Sequence, residues 1–239
     1  MQFILDNLVA VLVATVLFLG LQITQVRSQH AGLEQVAAHS VKTKTLIFGR
    51  WAEEDVLSIG ANFGANMYRF DDPVTDADGN MTEWTFFSDT SRVESGSTIK
   101  TRVFRRWRMV PNGTASFVDG TFPVYTVERD SAVVDYTGTV APTLAGLTAS
   151  DWKASYKSIG TVSFFRVDLL DRYGETPTDP ATGKADVLKV DYIRIRFGVV
   201  PEHNLRLNTD IAKSYHVREL YWSKTLKIRP YWVPPPTSS

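Results

Sequence analysis

Residues 8–21 read LVAVLVATVLFLGL, with no charge and nothing more polar than Thr15, and this run constrains the chain more than any other feature. Phe3, Ile4, Leu5 and Ile23 extend it, interrupted by Asp6 and Asn7. From residue 3 to residue 23 the span matches the roughly 20 residues that an α-helix needs to cross a bilayer. The alternative, a cleaved secretory signal, requires a basic leading segment and a small-x-small cleavage site. Residues 1–7 carry no Lys or Arg, and after Gly20 the chain reads LQITQVRSQ. Residues 1–25 therefore read as an uncleaved transmembrane helix.

The helical pattern continues beyond that span. Val26, Leu33, Ala37, Val41, Phe48, Trp51 or Ala52, Val56 and Ile59 recur near a 3.6-residue period. Arg27, Gln29, Glu34, Gln35, Lys42, Lys44 and Arg50 lie between them, as on a solvated opposite face. The first proline is Pro73. Gly32 and Gly49, with Thr43 and Thr45, are weak points at which one helix could become two. The reading is one long helix whose second, amphipathic part covers residues 26–60.

After Gly60 the pattern turns to β. Residues 61–229 form one domain of ordinary size. The chain has no cysteine, which excludes disulfide scaffolds, thiol catalysis and Cys-ligated zinc. Strands are expected over 66–70, 83–89, 98–110, 114–119, 122–128, 132–136, 161–170, 187–199 and 217–228. Pro111-Asn112-Gly113 falls between two of them and reads as a hairpin turn. Residues 191–197, DYIRIRF, alternate as an antiparallel strand with one wet face does. Residues 71–80 and 171–186 are rich in Asp, Pro, Gly and Thr and read as loops. Residues 230–239, with three consecutive prolines, read as a flexible extended tail.

Signals for chemistry are sparse. None of His30, His39, His203 and His216 sits in a metal-binding spacing. No nucleophile elbow or phosphate loop is present. The best candidate site is Asp76, Asp78 and Asn80, where oxygen ligands alternate beside Gly79 as in a calcium loop. The bidentate Glu of a full loop is missing, since Phe87 holds the twelfth position, so a plain polar turn is the favoured reading over calcium and no cofactor is required. Lys100, Arg102, Arg106 and Arg108 share one strand face, with Arg105, Phe104 and Trp107 interleaved. Such a stretch could hold phosphates. Pairing with acidic neighbours such as Glu83 or Asp89 is the favoured explanation. Lys and Arg number 26 and Asp and Glu number 26, a balance that argues against a nucleic-acid partner.

This layout of apolar helix, amphipathic continuation and antiparallel sheet resembles the type IV pilin-like proteins, closest to minor pilins and the minor pseudopilins of type II secretion. The resemblance rests on the helix end RWAEEDVLSIGA (residues 50–61), the following Asp-Gly-rich loop, TIKTRVFRRW (98–107) and the closing TLKIRP (225–230). It implies an α+β fold with the helix packed on the sheet, an extracytoplasmic domain on a single-pass inner-membrane anchor, and helix-packed partner subunits. The family's basic leader ending in Gly is absent here. Its mature chain carries Glu at position five, and counted from Gln2 the fifth residue is Asp6, which would supply that carboxylate for assembly. Arg27 and His30 follow the span, so the positive-inside rule alone points to the opposite orientation. The expectation is a non-enzymatic structural subunit of a pilus-like or pseudopilus-like assembly. The alternative is a membrane-anchored β module that recognises a polymer or ligand through its loops.

Overall fold

The computed structural model describes residues 2–60, 69–94, 97–117, 120–137, 141–206 and 219–228. Helix α1 (Gln2–Leu57) is a single helix of 56 residues. Neither Gly32 nor Gly49 breaks it. It stops where Gly60, at φ +68, takes the left-handed backbone that suits a helix exit. The Gly60 N–H then donates to Phe87 O at 3.2 Å, handing the chain to the sheet.

The strands are β1 (Val74–Thr75), β2 (Met81–Glu94), β3 (Ser97–Phe117), β4 (Gly120–Tyr136), β5 (Lys153–Lys157), β6 (Val162–Leu170), β7 (Tyr192–Val199) and β8 (Leu220–Lys227). They form one eight-stranded sheet in the order β1-β2-β3-β4-β6-β7-β8, with β5 also on β4. Every pairing is antiparallel. The architecture is α+β. A short helix, α2 (Glu202–Arg206), follows β7.

Helix α1 meets the sheet only from Val41 onward. Val41, Thr45, Phe48, Ala52, Asp55, Val56 and Ile59 are buried, at the three- and four-residue spacing of one helix face. The Phe48 ring lies 4.5 Å from that of Phe197 and 5.7 Å from that of Phe165. Trp51 stacks on Tyr156 at 4.1 Å and on Trp107 at 5.0 Å. Val26 and Leu33, expected on the amphipathic face, are exposed instead, because the helix has left the sheet before it reaches them. Residues 7–40 thus project from the domain, and at 1.5 Å per residue that is an arm of about 50 Å.

Two expected breaks between strands are absent. β3 runs through Pro111-Asn112-Gly113: Pro111 pairs with Tyr125 and Thr114 with Pro123, so two residues oppose Val124 alone. This is a β-bulge, and Gly113 at φ +92 supplies its left-handed position. The Asn-Gly pair had the right backbone preference, but the residues before and after it both pair with β4, so the strand bent without reversing. Likewise the expected strands 122–128 and 132–136 are one strand, β4. β7 begins at Tyr192, five residues later than expected at Val187. Of the expected strand 66–70, Phe70 makes one bridge to Phe86, and residues 66–68 lie outside the described residues. Residues 217–218 and the tail 230–239 also lie outside them.

The sheet's second face is partly covered. Phe87, Phe104 and Ala132 are buried there under Leu144, Leu147 and Trp152. Beyond the bulge, Ala115, Val124 and Val200 pack with Leu205 of α2.

Candidate functional site

Three groups of polar side chains stand out. The first is the Asp-rich turn. Asp76 Oδ1 accepts the backbone N–H groups of Asp78 at 3.0 Å and Asn80 at 2.8 Å, and its Oδ2 accepts Asn80 Nδ2–H at 3.0 Å. Gly79, at φ +78, allows the tight return. Slight desolvation raises the Asp76 pKa, but the bonds from Asn80 and Asp78 and the Arg166 charge outweigh it and hold the group below its ordinary value. The structure therefore brings Asp76 and Asn80 into contact and leaves Asp78 exposed. Among the described residues, no three His, Asp or Glu side chains converge so as to hold a metal ion.

The second group is the basic stretch of β3, and alternation divides it. Arg102, Arg106 and Arg108 face away from α1, whereas Arg105 faces it. Arg102 forms a fork with Asp89 at 2.8 and 2.9 Å. Arg106 and Arg108 share Asp130 at 2.9 and 3.0 Å, and Arg106 lies 4.3 Å over the Trp152 ring. These cations are matched by carboxylates on the neighbouring strands.

The third group was not anticipated from the sequence. Asp55, buried in the helix face, accepts Trp107 Nε1–H at 3.0 Å on Oδ2 and Arg129 N–H at 2.6 Å on Oδ1. Arg105 Nε lies 3.6 Å from the same Oδ1, and Arg105 also donates to Ser58 and Ser88 at 3.0 Å. Burial pushes the Asp55 carboxyl above its ordinary value; Arg129, Trp107 and Arg105 offset this only in part. One carboxylate between two guanidinium groups joins the last turn of α1 to β3 and β4. Its signal was in the sequence: position 55 lies fourteen residues after Val41, in the buried phase of the helix, and holds a carboxylate.

On the sheet face opposite α1, β6, β7 and β8 border an open cavity of about 470 Å³ lined by Asn80, Phe164, Arg166, Arg196, Tyr221 and Ser223 among others. Arg194 and Arg196 both bind Asp168, at 2.9 and 3.0 Å. Arg166 donates to Asp78 O at 2.7 Å, which ties the Asp-rich turn to the groove.

The remaining sequence candidates stay apart from these groups. His30 pairs with Glu34 one turn away, at 3.6 Å, and His39 is exposed on the arm. Asp6 lies within α1, with its side chain outside the described residues, as is that of His203 and the whole of His216. Among the described residues, one helix is long and apolar enough to cross a membrane, and the apolar window within it is wholly unburied. No family model, curated protein or solved structure matches the chain.

Proposed function

We propose that this chain is a non-enzymatic, pilin-like structural subunit, anchored in the inner membrane by α1 and joined through that helix to other subunits of a pilus-like or pseudopilus-like assembly. The observation that carries this reading is the continuity of α1. One unbroken helix offers bare apolar surface over its first part and is gripped by a sheet over its last part. An anchor alone needs only about 20 residues. The arm beyond it keeps the exposed apolar side chains Val26, Leu33 and Val36 within about 80° of the helix circumference, a face suited to a neighbouring helix. In an assembly such helices bury one another's surface, and the β domains stand outside.

Asp6 gives the test. A carboxylate in hydrocarbon costs a few kcal/mol unless paired, so an assembled bundle must supply a cation, such as a neighbour's N-terminal amine. The full-length protein is expected to stay in membranes through a carbonate wash. Asp6→Ala is expected to insert and fold normally but to crosslink poorly to neighbouring subunits in native membranes. Extraction by salt alone defeats the anchor. Equal crosslinking of Asp6→Ala and wild type defeats the assembly role of Asp6.

A further inference from the structure

The Asp-rich turn spends both Asp76 oxygens on its own loop, so its outcome is the placement of Asn80. Asn80 is 7% exposed and lines the groove. Its Nδ2 is committed to Asp76, while its Oδ1 is buried without a hydrogen-bond partner. A buried amide oxygen left unpaired costs about 1–3 kcal/mol, and a ligand donor would recover it. In the same cavity lining, the Nε atoms of Arg166 and Arg196 are likewise buried without partners. Ser223 adds an exposed hydroxyl. Phe164 and Tyr221 add two rings 5.7 Å apart, the Tyr221 ring being largely exposed.

The charges decide which ligand suits these groups. Arg194 and Arg196 share Asp168, and Arg166 lies in the field of Asp76 and on the Asp78 carbonyl. At the far end, Glu219 accepts from Ser163 and Tyr221. Three guanidinium groups, Arg166, Arg194 and Arg196, thus stand beside three carboxylates, Asp76, Asp168 and Glu219, so their N–H groups are offered with little surplus charge and an anion gains little here. What fits is a neutral ligand carrying several hydroxyls, each donor and acceptor at once, with an apolar face to lie on an aromatic ring. We infer that this groove binds a neutral carbohydrate, with Asn80 accepting, Arg166, Arg196 and Ser223 donating, and Tyr221 stacking. The cavity's 470 Å³ falls in the range of small-ligand sites. This inference does not depend on the assembly reading.

The test uses the full-length chain in detergent, applied to an array of neutral oligosaccharides (glucose, mannose, galactose and N-acetylglucosamine oligomers) beside uronate and sulfated ones. A bound sugar is then titrated by tryptophan fluorescence. Saturable binding to at least one neutral oligosaccharide is expected. Tyr221→Ala is expected to weaken it about tenfold or more, as for loss of a stacking anchor. Asn80→Ala should weaken it similarly, while Tyr173→Ala, an exposed tyrosine outside the groove, leaves it unchanged. Because Asn80 supports its own turn, Tyr221→Ala and Ser223→Ala on the exposed strand carry the test if Asn80→Ala fails to fold. Binding only to uronate or sulfated glycans, no binding to any glycan, or neutral binding undiminished in Tyr221→Ala each overturns the inference.

Discussion

Asp55→Ala is the most direct probe of how the helix is held to the sheet. The substitution removes the shared acceptor of Trp107, Arg129 and Arg105, leaving two guanidinium groups close together without their anion. Breaking a buried ion pair by removing one partner costs about 3–5 kcal/mol. Here the Arg105 and Arg129 side chains are 21% and 20% exposed, so water recovers part of the loss. The expected cost is thus about 2–4 kcal/mol, including the stranded Trp107 N–H. Asp55→Asn keeps an acceptor for Trp107 and should lose less. Glu54→Ala, next in sequence, removes only an ion pair to Arg50 with side chains 68% and 83% exposed, and should change stability by under about 0.5 kcal/mol. Denaturant unfolding followed by tryptophan fluorescence reads all three, with the midpoint moving and the slope constant. If Asp55→Ala costs no more than Glu54→Ala, the clamp is not what fixes the helix.

Three further substitutions test local arguments. A Cβ at Gly49 would meet the Trp222 ring at 2.7 Å, whereas one at Gly32 meets nothing. Gly32→Ala should therefore raise helicity by about 1 kcal/mol of propensity, while Gly49→Ala loses that gain to overpacking of about 1–3 kcal/mol and lowers the melting temperature. A Gly49→Ala protein as stable as wild type would mean that Trp222 yields freely. Asp76 tests the turn by pH. Its folded pKa lies below the unfolded value of 3.8, so its stabilisation is complete above that value and is lost as pH falls through the folded one. The stability gap between wild type and Asp76→Ala should close on acidification; a gap constant down to the acid transition refutes the sign.

The helix and the sheet class were legible because each has a period. The apolar run and the 3.6-residue recurrence run unbroken to Ile59, and DYIRIRF alternates as β7 does. What failed was local chemistry overruled by pairing. Asn112-Gly113 has turn preferences, yet β4 lies alongside and the chain bulged. β5 went unrecognised, although Trp152, Ala154 and Tyr156 alternate, because polar residues flank them and only an edge of β4 holds the strand. The contact of α1 was placed too early, since the sequence cannot show where the sheet ends. The groove was illegible because Asn80 and Arg166 are 86 residues apart and meet only when the Asp-rich turn folds against β6.

The arm that projects from the sheet acts as a dial as well as a spacer. A rigid helix converts residue count into angle, about 100° per residue, and into height, about 1.5 Å per residue. Because Phe48 and Asp55 fix the domain to one helix face, the direction in which the groove looks is set by the number of residues beneath it. One residue inserted near Val36 would turn the whole sheet by about 100° while raising it by only 1.5 Å. Seven would lift it by about 10 Å and turn it back to within about 20° of its starting direction. Length changes in the arm that leave the groove's bearing nearly unchanged therefore come in steps of seven, not one.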